Sequence, residues 1–233
     1  MKATDRKRSS LKIPNTMTRK ERAAALATEL PQIYPTAHCE LNFSSPLELL
    51  VATILSAQCT DVRVNMVTPA LFKRCPAAAD YAAIPQEELE TLIRSTGFYR
   101  NKAKSIRGMG AALVERHAGV VPRTIEELSA LPGAGRKTAN VVLGNAFGIN
   151  EGVVVDTHVG RLSLRLGLTT QSDPVKVEQD LMGLFPKRSW TDLSHWLIWH
   201  GRRRCKARNP DCKQCELRSF CPSVDKPDRF LKK

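Results

Sequence analysis

The chain has 233 residues, enough for one large domain or two small ones with their own cores. Its 36 Lys and Arg against 23 Asp and Glu leave a net charge of +13, which points to a polyanionic partner, nucleic acid ahead of anionic membrane. No apolar run approaches the roughly 18 residues of a membrane span, the basic N-terminus lacks the apolar stretch of a secretory signal, and no lipidation motif is present, so a cytoplasmic protein is expected.

Residues 1–18 carry Lys2, Arg6, Lys7, Arg8 and Lys12 against Asp5, and read as a basic disordered tail. Thr18-Arg19-Lys20-Glu21 fits a capping box, followed by a helix over Ala23 to Ile33. Ser45-Pro46-Leu47-Glu48 fits a second box with proline at the first helical position. The helix behind it, with Leu49, Leu50, Val51, Ala52, Ile54 and Leu55, is apolar on nearly all sides and is predicted to be central. It stops at the polar run Ser56 to Asp61. Pro85 to Ser95 reads as a helix ended by Gly97, Lys102 to His117 as the next, and Thr124 as the cap of one leading into Leu131.

Leu131-Pro132-Gly133-Ala134-Gly135-Arg136-Lys137-Thr138 then reads as helix, tight hairpin, helix. Pro132 blocks continuation of the preceding helix, and Gly133 and Gly135 permit positive φ and close approach. The helix that follows presents backbone N–H groups and a positive dipole end suited to phosphate. Lys137 and Arg136 lie in its first turn. An ordinary helical corner with a surface lysine fits the same residues.

Beyond the hairpin, helices are predicted over Thr157 to Leu166, Val175 to Leu184 and Asp192 to Gly201. Asp156 follows the short apolar run Val153 to Val155 and by itself reads as the N-cap of the first of these. No stretch alternates as a strand, so the fold is expected to be all-α, with about ten short helices. His158, His195 and His200 read as packing histidines, and Trp190, Trp196 and Trp199 as packing around the last helix.

Four of the seven cysteines fall in the last thirty residues, Cys205, Cys212, Cys215 and Cys221, spaced C-x6-C-x2-C-x5-C. Four thiolates so close can surround one centre, zinc or an iron–sulfur cluster. Arg202, Arg203, Arg204, Lys206, Arg208 and Lys213 surround them. They form either a solvated surface balancing thiolate charge or a phosphate-contacting loop. Cys39, Cys59 and Cys75 are scattered and read as small buried or half-buried residues.

From about Arg19 to Cys221 the chain resembles the endonuclease III family of DNA glycosylases, through the glycine hairpin, Asp156 and the cysteine spacing. The resemblance implies two helical domains with the active site in the cleft between them. One is a six-helix barrel with a helix-hairpin-helix over residues 38–149; the other is an iron–sulfur domain joining 19–37 to 150–233. It implies that Cys205, Cys212, Cys215 and Cys221 hold a [4Fe–4S] cluster. It makes Lys137 the nucleophile and Asp156 the catalytic carboxylate of a bifunctional glycosylase and lyase. A Schiff base and β-elimination at oxidised pyrimidines would follow.

The expected partner is damaged double-stranded DNA, bound by a monomer that associates with the nucleoid and not with a membrane. Gly133, Gly135, Arg136, Lys206 and Arg208 are expected to contact DNA. Gln58 matches the family's inserted glutamine, and Phe98 falls where the family more often has a leucine wedge, although a core aromatic fits that position too. Cys59 and a connection at Asn150-Glu151-Gly152 that is one residue longer are departures from the family pattern. The alternatives are a sister glycosylase for a pyrimidine dimer or mismatched base, and a non-catalytic iron–sulfur DNA-binding protein.

Overall fold

The computed structural model describes Met17–Val224 and Lys226, so most of the basic tail, residues 1–16, lies outside the described residues. Eleven α-helices and three short 3₁₀ turns make up the regular structure, with no strand among the described residues. The chain divides into two compact units.

The first unit comprises Ala37–Val154 and Lys187–His195. At its centre is α2 (Pro46–Leu55), in which every residue from Leu49 to Leu55 is buried. The Ser45 hydroxyl accepts the Glu48 N–H, but the Glu48 carboxylate accepts from the backbone and hydroxyl of Ser44, one residue earlier than a closed capping box requires. Around α2 pack α3 (Asp61–Arg74), α4 (Ala78–Ala83), α5 (Gln86–Ile93), α6 (Tyr99–His117), α7 (Ile125–Ser129) and α8 (Arg136–Phe147). Sequence reading leaves α3 and α4 out; a Thr60 cap on the Arg63 N–H starts α3, which holds Pro69, a residue that normally ends a helix, in its interior. It also starts α6 three residues late. A Cβ on Gly110 would stand 2.8 Å from the Ala78 carbonyl, so only glycine admits α4 this close to α6.

The return segment Lys187–His195 is held by side chains. Asn150 Oδ1 accepts from the Thr191 N–H and hydroxyl, His195 Nε2 donates to Asn145 Oδ1 at 2.7 Å, and Ser194 Oγ accepts the Val154 N–H at 3.0 Å. A Lys187–Glu151 ion pair of 2.9 Å adds to this, so the Asn150-Glu151-Gly152 connection is pinned at two residues.

The second unit comprises the chain up to Thr36, Val155–Pro186 and Trp196 onward. It contains α1 (Arg19–Ile33), α9 (Thr157–Arg165), α10 (Pro174–Leu184) and the greater part of α11 (Trp190–Arg203). The capping box at Thr18 and Glu21 is closed in both directions. Arg22 of α1 donates to the carbonyls of Phe220 and Gly167, joining the N-terminal helix to the end of the chain.

Candidate functional site

The hairpin between α7 and α8 is built by sterics. Gly133 has φ 78°, and a Cβ there would lie 2.7 Å from the Ser105 Cβ of α6, so both conformation and space demand glycine. Gly135 corrects the sequence expectation. Its φ of −98° is extended, a Cβ would meet nothing within 4 Å, and no side chain caps α8. The opening of α8 is therefore bare, with its dipole end facing outward. Arg136 and Lys137 of its first turn are both exposed.

Gln58 and Phe98 sit on two different loops of the same unit. Gln58 follows the end of α2 and Phe98 precedes α6; both have left-handed backbones, φ 53° and 48°, an uncommon state for residues other than glycine. Phe98 is 62% exposed, which excludes the core-aromatic reading. Both side chains line one open cavity of about 210 Å³, whose wall continues through Lys102 and Ser105 to Gly133 of the hairpin. Sequence reading missed Lys102. Its signal was available: it falls at i, i+4, i+7 and i+11 spacing with Ile106, Met109 and Leu113 on the buried face of α6.

In the second unit, Asp156 caps α9 by accepting the Val159 N–H on Oδ1 at 2.8 Å, with its side chain partly exposed. Cys205, Cys212, Cys215 and Cys221 line one small cavity together with Leu162, Leu166 and His200. None of them is in a disulfide. Burial, reinforced by the neighbouring sulfurs, pushes the Cys215 thiol up to about 12 and the Cys221 thiol up to about 11. A bound metal would have to compensate that burial to hold these sulfurs as thiolates. Among the described residues no three His, Cys, Asp or Glu side chains form a cage for a single ion.

The cysteine loop is held by arginines that sequence reading also missed. Buried Arg165 of α9 approaches Cys205 Sγ at 3.4 Å and donates to the carbonyls of Lys206 and Ala207. Arg161 donates to the carbonyls of Gly201 and Cys205, and Arg218 to that of Cys212. His200 is buried; its Nδ1 lies 2.8 Å from the Tyr34 hydroxyl and its Nε2 3.5 Å from Cys215 Sγ. The basic run is not uniform: Arg204 is paired with Asp211 and Glu216, while Lys206, Arg208 and Lys213 are exposed.

Comparison with known proteins agrees with this arrangement. The profile of the HhH-GPD superfamily of base excision DNA repair proteins matches residues 51–187. Endonuclease III of Synechocystis sp. is 55% identical over 207 residues, spanning 89% of this chain and 94% of that protein. Endonuclease III of Escherichia coli K12 is 41% identical over 209 residues, spanning 90% and 99%. A solved structure of a trapped endonuclease III–DNA covalent intermediate superposes with a TM-score of 0.86 at 46% identity, covering 91% of this chain and all of that one.

Proposed function

The chain belongs to the endonuclease III family of HhH-GPD base excision DNA repair proteins, and from that premise we propose that it is a bifunctional DNA glycosylase and abasic-site lyase acting on oxidised pyrimidines in duplex DNA. The observation that carries this reading is Lys137, an exposed amine in the first turn of an uncapped helix directly after a glycine hairpin. The bare helix opening and the +13 net charge suit a phosphate backbone.

In this reading the Lys137 amine attacks C1′ of the damaged nucleotide and displaces the base, which leaves with the bonding electron pair. Ring opening gives an imine between Nζ and C1′. The imine acidifies the C2′ hydrogen, and loss of that proton expels the 3′ phosphate. Asp156 assists by taking the Lys137 proton and by stabilising positive charge on the sugar. Gln58 and Phe98, exposed on adjacent loops, fill the space the extruded base leaves. Lys206 and Arg208 contact phosphates.

Cys205, Cys212, Cys215 and Cys221 would hold a [4Fe–4S] cluster, for which four half-buried thiols lining one small cavity are a fitting donor set. Bound there, the cluster staples a loop-rich segment with few apolar side chains of its own.

The test is borohydride reduction in the presence of duplexes that each carry one defined lesion. Wild-type protein should become covalently attached to duplexes bearing an oxidised pyrimidine, and Lys137→Gln should bind them without attachment or cleavage. Attachment of Lys137→Gln at the wild-type rate would remove Lys137 from the reaction. If neither protein released base from any lesion, the non-catalytic DNA-binding alternative would take the place of this reading.

A further inference from the structure

Lys102 is 5% exposed, and burial lowers the pKa of its ammonium. A buried charge is tolerated only when its hydrogen bonds are satisfied. Here Nζ donates to two neutral backbone carbonyls, Leu55 and Thr96, each at 2.8 Å. Leu55 is the last residue of α2, and Thr96 ends the 3₁₀ turn Arg94–Thr96. Both carbonyls are therefore among the acceptors that helix ends leave open, and a cation at such an end is also favoured by the helix dipole. A third bond comes from the main chain, where the Lys102 N–H donates to the Phe98 carbonyl at 3.1 Å.

These three acceptors flank the two exposed side chains. Gln58 lies three residues beyond Leu55, and Phe98 two beyond Thr96. Both have positive φ, an arrangement that persists only where the surroundings over-determine it. A leucine or methionine at position 102 would fill the same core space, so packing alone does not call for lysine. What lysine adds is a charge-assisted link between two loops that otherwise belong to different helices.

We infer that Lys102 is a positioning residue that locks the Gln58 and Phe98 loops at a fixed separation, so that both side chains enter the duplex as one preorganised pair. The inference rests on the proposed role of Gln58 and Phe98 in filling the vacated stack. It assigns Lys102 no contact with the reacting sugar. Preorganisation matters at this point because extrusion of a paired base is itself unfavourable, and loops that had to be ordered at the same moment would add to that cost.

The experiment compares Lys102→Met with wild type on two substrates in single turnover: a duplex with one base-paired oxidised pyrimidine, and a single-stranded oligonucleotide with one abasic site. The first needs the stack to be opened and filled; the second does not. Base release from the duplex should fall at least tenfold, and cleavage of the single strand by no more than twofold. Fluorescence of 2-aminopurine opposite the lesion, which reports local unstacking, should lose most of its enzyme-induced rise. In a Gln58→Ala/Phe98→Ala background the Lys102→Met change should add less than twofold, because the residues it acts through are gone.

Equal losses on both substrates, or a full tenfold loss added to the double-alanine background, would show a general structural role and overturn the inference. Should Lys102→Met fail to fold, Lys102→Gln is scored in its place; its shorter amide reaches at most one carbonyl, and an unchanged duplex-to-single-strand ratio overturns the inference equally. The Gln58→Ala and Phe98→Ala single variants separate the two levels of argument. If both process the duplex normally, the stack-filling reading fails and the Lys102 role falls with it; if they are impaired while Lys102→Met is not, only the Lys102 role fails.

Discussion

Gly133 and Ser105 are so close that a methyl group on the glycine would sit 2.7 Å from the serine Cβ. This contact seats the hairpin on α6, and it separates the roles of the two hairpin glycines. Gly133→Ala combines a left-handed backbone with overpacking and should cost about 2–4 kcal/mol, seen as a lower denaturation midpoint with or without DNA. Gly135→Ala meets open space and should cost less than about 1 kcal/mol. Because Gly135 is the N-cap of the helix proposed to receive a phosphate, DNA affinity should fall about tenfold, as for one lost phosphate hydrogen bond. Thermal melts and equilibrium binding of each variant check the division.

Asp156 caps α9 through Val159, and in the proposed reaction it also supplies a negative charge. Asparagine caps a helix as well as aspartate does. Asp156→Asn should therefore keep the stability of wild type while slowing base release by about a hundredfold or more. Asp156→Ala should show the same slowing and, in addition, lose about 1 kcal/mol of stability. Equal stability of the two variants would mean that the cap contributes nothing.

Removal of Lys206 or Arg208 by alanine should weaken binding to damaged and undamaged duplex alike, and should reduce the slope of log K against log salt by about 1 per residue. Arg204→Ala is the internal control. Its guanidinium already holds Asp211 and Glu216, so its loss should release those carboxylates and disturb the cysteine loop more than it changes the salt slope.

Chelation or acid extraction of iron should bleach a broad absorbance near ~400 nm expected of a thiolate-bound cluster. The same treatment should lower the melting temperature. Cys212→Ser should reduce soluble yield more than it alters the activity of the fraction that folds. Purified protein carrying one zinc and no iron would replace the cluster with a mononuclear site.

Burial, helped by His38, lowers the His195 pKa to about 4 from 6.5. The unfolded chain therefore binds a proton at a pH where the folded chain does not. The stability contributed by neutral His195 is complete above pH 6.5 and is lost as the pH falls toward 4, by about 1–3 kcal/mol. Urea unfolding between pH 7.5 and 4.5 should show this slope. His195→Gln, which keeps a donor for Asn145, should reduce it, the remainder coming from buried His200, whose pKa burial also lowers to about 4.

How far the molecule was legible in its sequence follows from which signals are local. The caps at Thr18, Ser45, Thr124 and Asp156 act within three residues, and each was readable. The cysteine spacing is local in the same sense. The hairpin was readable as a hairpin, but not the different conformations of its two glycines, because the Ser105 contact that distinguishes them comes from another helix. α3 was left out although its Thr60 cap is as local as the others, and Pro69 inside it argues by itself against an unbroken helix that packing nonetheless holds. For Lys102 and Arg165 the sequence carries half the information. Helical spacing can put Lys102 on a buried face, but what receives either charge is not local, since the carbonyls lie 47 residues away for Leu55 and 41 for Lys206.

The bond from Arg22 to the Phe220 carbonyl spans 198 residues. On the ribosome, chain growth of about 5–20 residues per second separates the appearance of these partners by roughly 10–40 s. During that interval α1 can form its own helical hydrogen bonds, but the apolar face made by Ala23, Leu26 and Leu30, fully buried in the finished protein, has no completed unit to join. Residues 37–154, by contrast, bring most of their core together within one uninterrupted stretch. The order of assembly is therefore written into the layout of the chain: most of the hairpin-bearing unit's core can gather first, and the cysteine-bearing unit, whose first helix has waited longest, closes only after Phe220 has emerged.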